Sequence, residues 1–270
     1  MKINIAVVQF EINQYRPEEN LKKARRFVQL ASEKKADVVV FPEDFITGPV
    51  AGEKNYVDFE EKYKKAFQTL AKQHSIDIVA GSFIEGEKDG WFNTSYYINA
   101  QGKIKARYRK INLWHPEKRY LTPGKKVVAF QTKYGKAGVI ICWDLMFPEV
   151  FREMVKRGVK IIYCPSYWSF EDTGVGLKHN KNSEIELVNS LSVARAFENE
   201  IVFVYANAAG KHRIKGHKET LIGRSQITVP FKGVVRKLVH NKEGMFIQAV
   251  DTNILNDAER AYRIRKYLKK

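Results

Sequence analysis

The stretch GVIICWDLMFPEVFREMVKRGVKIIYCPS, residues 138–166, decides the architecture. GVIIC is a short apolar run that ends abruptly at Cys142, FPEVFREMVKR has helical spacing, and GVKIIYCPS is a second apolar run. Strand, helix and strand in that order predict neighbouring parallel strands joined by a crossover helix. The N-terminal third repeats the pattern. INIAVVQF reads as a strand, and PEENLKKARRFVQLASEKKA follows with Leu21, Ala24, Phe27, Val28 and Ala31 at helical spacing. ADVVVFPE is a second buried strand, an amphipathic helix runs to about residue 74, and IDIVAGSF is a third strand.

Outside this alternation, FNTSYYIN and KIKARYRK read as a hairpin around a QG turn. NSEIELVNSLSVARAFENE predicts a long helix and EIVFVYANAAG a strand. Short strands (LIGRSQITVP, GVVRKLVH, MFIQAVD) precede a final helix from about Asn253. With no repeat or Pro/Ser-rich linker, residues 1–270 are expected to form one α/β domain, and 44% hydrophobic content suffices for its core.

Apolar runs stay below the roughly 18 residues that span a bilayer, and MKINIAVVQFEINQ lacks the features of a secretory signal, so a cytoplasmic protein is expected. Two cysteines, Cys142 and Cys164, predict free thiols rather than a disulfide framework, and six scattered histidines predict no metal and no cofactor. The net charge of +17 suits anionic partners in general. However, KIKARYRK (103–110), KHRIKGHK (211–218) and RIRKYLKK (263–270) lack any nucleic-acid-binding spacing and are expected to be solvated faces.

Reactive groups in α/β sheets gather where strands end and helices begin. Glu43, Lys110 and Cys142 each fall at such a place. Alone, each has a bland alternative: a solvated acid, a surface lysine, a core thiol. Together they form a complete acyl-transfer set, because a thiol needs a base to attack, a glutamate of raised pKa can shuttle the proton, and a lysine can hold an oxyanion. No histidine sits at a comparable strand end. Cys164 is followed by Pro165, which has no N–H to offer an oxyanion, and reads as a buried hydrophobe.

The blocks VVVFPEDFITG, YRKINLW, EKRYLTPG, GVIICWDLMFPE and RAFENEIVFVYAN, in this order, together with the ending GRSQITVPFKGVV…AVDTNIL, resemble the nitrilase superfamily of carbon-nitrogen hydrolases. The resemblance implies a four-layer αββα sandwich, commonly a homodimer or higher homo-oligomer, with no cofactor. It implies that Glu43 is the general base, Lys110 the oxyanion-stabilising lysine, Cys142 the nucleophile and Glu117 a second, positioning glutamate. Trp143 would supply an oxyanion N–H, and Tyr167 and Trp168 would wall the substrate pocket. Asp144 resembles the C-x-D pattern of the amidase and carbamoylase branches, while Asp44 departs from the apolar residue common after PE.

A small-molecule amide or N-carbamoyl compound is therefore the expected substrate. A true nitrilase and a basic, non-catalytic binding protein on the same fold are the alternatives, and neither nucleic acid nor membrane is an expected partner. The cationic surface raises the further expectation that carboxylate-bearing substrates are steered to the site.

Overall fold

Alternation along the first strand, Lys2–Gln9, sets where the layers meet. Ile3, Ile5 and Val7 enter a core shared with a second sheet, whereas Ala6 and Val8 point the other way, under helices. The same split recurs at Val38 and Val40 against Val39. The computed structural model describes residues 1–268 of this chain.

The first sheet has seven strands. Its order is Gly244–Asp251, Lys2–Gln9, Val38–Val40, Asp77–Val79, Gly90–Ile98 and Phe83–Glu87, with Ile104–Arg109 also paired to Gly90–Ile98. The second has six: Gly233–Lys237, Gln226–Val229, Val202–Asn207, Ile161–Ser166, Gly135–Val139 and Phe130–Thr132. Each sheet has three parallel strands at its centre and antiparallel strands at its margins. The opening stretch contributes two central strands of the second sheet and, between them, the helix Pro148–Lys156.

Helices cover both outer faces. Leu21, Ala24, Val28 and Ala31 of Pro17–Glu33, with Tyr63, Phe67, Leu70 and Ala71 of Lys62–His74, pack on Val39, Phe41, Ile78 and Ala80. Val150, Phe151, Met154 and Val155 of Pro148–Lys156, with Val188 and Ala196 of Ser183–Asn199, join the core of the second sheet. The result is the expected αββα sandwich. Among the described residues, no helix is long and apolar enough to cross a membrane.

Three details differ from the sequence reading. IDIVAGSF is not one strand but breaks between Asp77–Val79 and Phe83–Glu87. Gly81 turns there with φ of +57°, and a Cβ on it would lie 2.1 Å from the Pro42 carbonyl oxygen, so the chain bends around the turn that carries Glu43. The final helix is interrupted at Arg263 (φ +57°) between Ile254–Tyr262 and Ile264–Tyr267; the last two residues of RIRKYLKK lie outside the described residues. Most of KHRIKGHK forms a small hairpin of its own, Lys211–Ile214 with His217–Thr220.

Candidate active site

Cys142 opens a short helical turn, Cys142–Met146, just beyond the strand Gly135–Val139. Its backbone has φ of +45°, a conformation costing a non-glycine residue about 1–3 kcal/mol, and the residue, though packed in the core, lines the cavity. Asp144 holds this turn in place. Its Oδ2 accepts hydrogen bonds from the Ile141 N–H (3.0 Å) and the Tyr108 hydroxyl (2.6 Å), and its Oδ1 from the Asn112 N–H (2.8 Å) and side-chain amide (2.9 Å). Tyr108 and Asn112 flank Lys110, so one buried carboxylate ties the Cys142 turn to the segment bearing the lysine. Asp144 does not line the cavity.

Glu43 follows Val38–Val40 in a turn pinned to both sheets. Its N–H donates to the Ser166 carbonyl of the second sheet at 3.3 Å, while the Ser82 N–H donates to the Pro42 carbonyl at 3.3 Å. Lys110 follows Ile104–Arg109. Its N–H donates to the Asn93 carbonyl at 2.9 Å, and its own carbonyl accepts the Gly124 N–H at 2.8 Å.

The Lys110 ammonium bridges two carboxylates, Glu43 Oε1 and Glu117 Oε2, at 2.8 Å each, and is only 2% exposed. Glu117 Oε2 also accepts the Trp114 N–H at 2.6 Å. The Asn93 amide completes the cluster, donating to Glu43 Oε1 at 2.8 Å and to Glu117 Oε1 at 3.3 Å. Glu43 Oε2 accepts the Tyr167 N–H at 2.9 Å, and the Cys142 thiol lies 3.6 Å from the carbonyl of the same Tyr167. Glu43, Lys110, Glu117 and Cys142 thus meet in one place, although they come from four separate parts of the chain. The carboxylates of Glu43, Asp44 and Glu117 lie within 4.8 Å of one another, but the counter-ion between Glu43 and Glu117 is the lysine itself.

Burial sets the protonation states. It pushes the Glu43 carboxyl up, against the pull of Lys110 and with a further push from Glu117. It also raises the Cys142 thiol well above the usual thiol range, reinforced by Glu43 and opposed by Lys110. For Lys110, burial acts downward, but Glu117 and Glu43 reverse it and hold the ammonium charged. Burial and the neighbouring charges thus keep the Cys142 thiol protonated and the Lys110 ammonium charged.

Trp143, Tyr167 and Trp168 line the same cavity, of about 670 Å³. Trp143 packs edge-on against Trp114 (4.3 Å between centroids) and tilted against Trp168 (5.7 Å). Trp168 is also anchored in the core, its N–H donating to Asn207 Oδ1 at 2.8 Å. Cys164 is wholly buried, its thiol pushed up to about 12 by burial, and lies off the cavity. Sequence reasoning missed Asn93, whose only signal was a polar residue inside a strand. It also missed Ile214, Lys215, His217 and Glu219, which wall the cavity although the KHRIKGHK run reads as a solvated face.

Comparison with known proteins places the chain in a family. The carbon-nitrogen hydrolase family model matches residues 4–259. A probable nitrilase of Schizosaccharomyces pombe is 30% identical over 96% of this chain and 91% of its own length. The 2-oxoglutaramate amidase of Bacillus subtilis is 32% identical over 78% of each chain. Among solved structures, Saccharomyces cerevisiae Nit3, a nitrilase-superfamily member, superposes with a TM-score of 0.82 at 25% identity, covering 97% of this chain and 94% of its own.

Proposed function

The chain belongs to the carbon-nitrogen hydrolase family, within the nitrilase superfamily, and hydrolyses amide-type carbon-nitrogen bonds; from that premise we propose that it does so through a thioester on Cys142, with Glu43 as base and Lys110 as oxyanion partner. The observation that carries this reading is the Lys110 ammonium, fixed at 2.8 Å from both Glu43 and Glu117 next to a buried thiol.

Cys142 Sγ attacks the amide carbon as its proton passes to Glu43. The thiol is too basic to ionise alone, so transfer accompanies attack. The negative oxygen falls to Lys110 and the Trp143 N–H. The latter precedes the first bond of its turn, Asp144 N–H to Ile141 O at 3.0 Å, as an oxyanion donor should. Glu43 then protonates the departing nitrogen, the C–N bond breaks and ammonia leaves a thioester. Water gives a proton to Glu43 and attacks the thioester, and the C–S bond breaks to return the thiol and a carboxylic acid. Glu117 keeps Lys110 charged and aimed, and Asn93 spaces the two carboxylates.

Ammonia release across a panel of simple amides, N-carbamoyl compounds and nitriles tests the reading. Amides are expected to be turned over by the wild type and not by Cys142→Ala. Undiminished ammonia release in that variant contradicts it.

A further inference from the structure

Beyond Glu43 and Glu117, the cavity wall holds three more carboxylates, Asp44, Asp172 and Glu219. Asp44 is buried, its Oδ1 has no hydrogen-bond partner, and it faces the carboxylates of Glu43 and Glu117. Asp172 is half-buried and close enough to act on the Cys142 thiol. Glu219, on the small hairpin, accepts the Tyr167 hydroxyl at 2.8 Å. All three act on Tyr167, whose N–H and carbonyl meet Glu43 and Cys142.

The positive groups on this cavity other than Lys110 are Arg119 and Lys215. Both are exposed, and Lys215 is already paired at 3.5 Å with the equally exposed Glu53. His217 is exposed as well. Exposed charges are screened within roughly 8 Å at physiological salt, whereas buried and half-buried carboxylates are screened much less. Five carboxyl groups thus line the cavity against one buried cation, Lys110, and two exposed ones, so the +17 of the whole chain does not describe this wall. The faces of Trp114, Tyr120, Trp143 and Trp168 on the same cavity suit a cation too.

We propose that the substrate is an amide carrying a cationic amino group, which the acidic side of the cavity wall, with Asp44, Asp172 and Glu219, favours over an uncharged or anionic one. This rests on the amidase reading of Cys142 and departs from the expectation, drawn from the surface charge, that carboxylate-bearing substrates are preferred. Burial pushes Asp172 up to about 7, with Glu219 and Glu184 adding to it and hydrogen bonds from Ser169 opposing. Burial likewise raises Asp44, with Glu43 and Glu117 adding and Lys110 opposing, and raises Glu219, with Glu171 adding and the Tyr167 hydroxyl and His217 opposing. A bound ammonium favours the ionised form of each, so recognition strengthens as pH rises through about 7.

The test is ammonia release from 5-aminopentanamide, its uncharged isostere hexanamide and glutaric acid monoamide. The expected kcat/KM is at least about tenfold higher for 5-aminopentanamide than for hexanamide, mostly through KM, with the monoamide lowest. That preference should grow between about pH 6 and pH 8 and collapse in both Asp172→Asn and Glu219→Gln. Equal or better use of hexanamide or the monoamide overturns the proposal while leaving the amidase reading in place. So does a preference that survives both substitutions or ignores pH. No ammonia from any amide, with the protein folded, overturns the amidase reading and the proposal with it.

Discussion

Glu43 raises the proton affinity of the Cys142 thiol, whereas the thiol lowers that of Glu43, and the sign of the first influence can be measured. Glu43 raises the thiol and Lys110 lowers it, so Glu43→Gln removes the first influence and leaves the second. The variant is expected to lose turnover, yet its thiol should ionise at lower pH than in the wild type. Iodoacetamide alkylation of Cys142 followed against pH reads this directly; an unchanged or raised thiol pKa contradicts the arrangement. Glu117→Gln keeps a hydrogen-bond acceptor for Lys110 but withdraws the charge that does most to hold the ammonium up against burial. A fall in kcat of about tenfold or more is expected, with a smaller change in KM. Glu43, Lys110 and Cys142 were legible in the sequence because complementary chemistry stood at three element ends. Asn93 was not, since a strand asparagine bridging two carboxylates has no local pattern. Asp144 was legible as a motif residue, but its four hydrogen bonds appear only once Tyr108 and Asn112 are folded beside it.

The elements that carry these residues are held together by a few tight contacts. Gly124 donates its N–H to the Lys110 carbonyl, and a Cβ on it would lie 2.2 Å from the Arg109 carbonyl oxygen. Gly124→Ala must therefore displace the chain at Lys110, although residue 124 does not line the catalytic cavity. A loss of about tenfold or more in kcat in a protein that still folds is the expected result, read by steady-state kinetics alongside circular dichroism. Asp144→Asn leaves its buried donors short of acceptors and is expected to cost about 2–3 kcal/mol of stability, with activity falling in parallel, measurable by denaturant unfolding. The helices and both central sets of parallel strands were readable from apolar periodicity, which reports burial. The break at Gly81 and the hairpin Lys211–Thr220 were not. The first depends on the distant Pro42 carbonyl, and the second is a polar run whose place over the cavity is set by tertiary packing.

For the molecule as a whole, the notable titrations are those of buried carboxylates. Burial pushes both Asp172 and Glu200 up to about 7 from ordinary values near 4. The folded state then binds protons that the unfolded chain has released, so these groups stabilise fully below about pH 4 and lose that contribution as pH rises through about 7. Glu87 acts oppositely. Arg109 and Arg107 hold it down to about 2, so its contribution is lost only in strong acid. The melting temperature is expected to be higher near pH 5 than near pH 8, and scanning calorimetry showing a rise across that interval would contradict the assignment. The charge of +17 announced an anionic partner, but charge counted over a sequence says nothing of where it lies, and the cavity wall is acidic. The central claim is covalent: acid-quench the enzyme during turnover of an amide and weigh the protein and its Cys142 peptide. The account predicts an adduct equal to the substrate less ammonia, on Cys142 and absent from Cys142→Ala; an adduct on another residue, or ammonia release persisting in that variant, would contradict it.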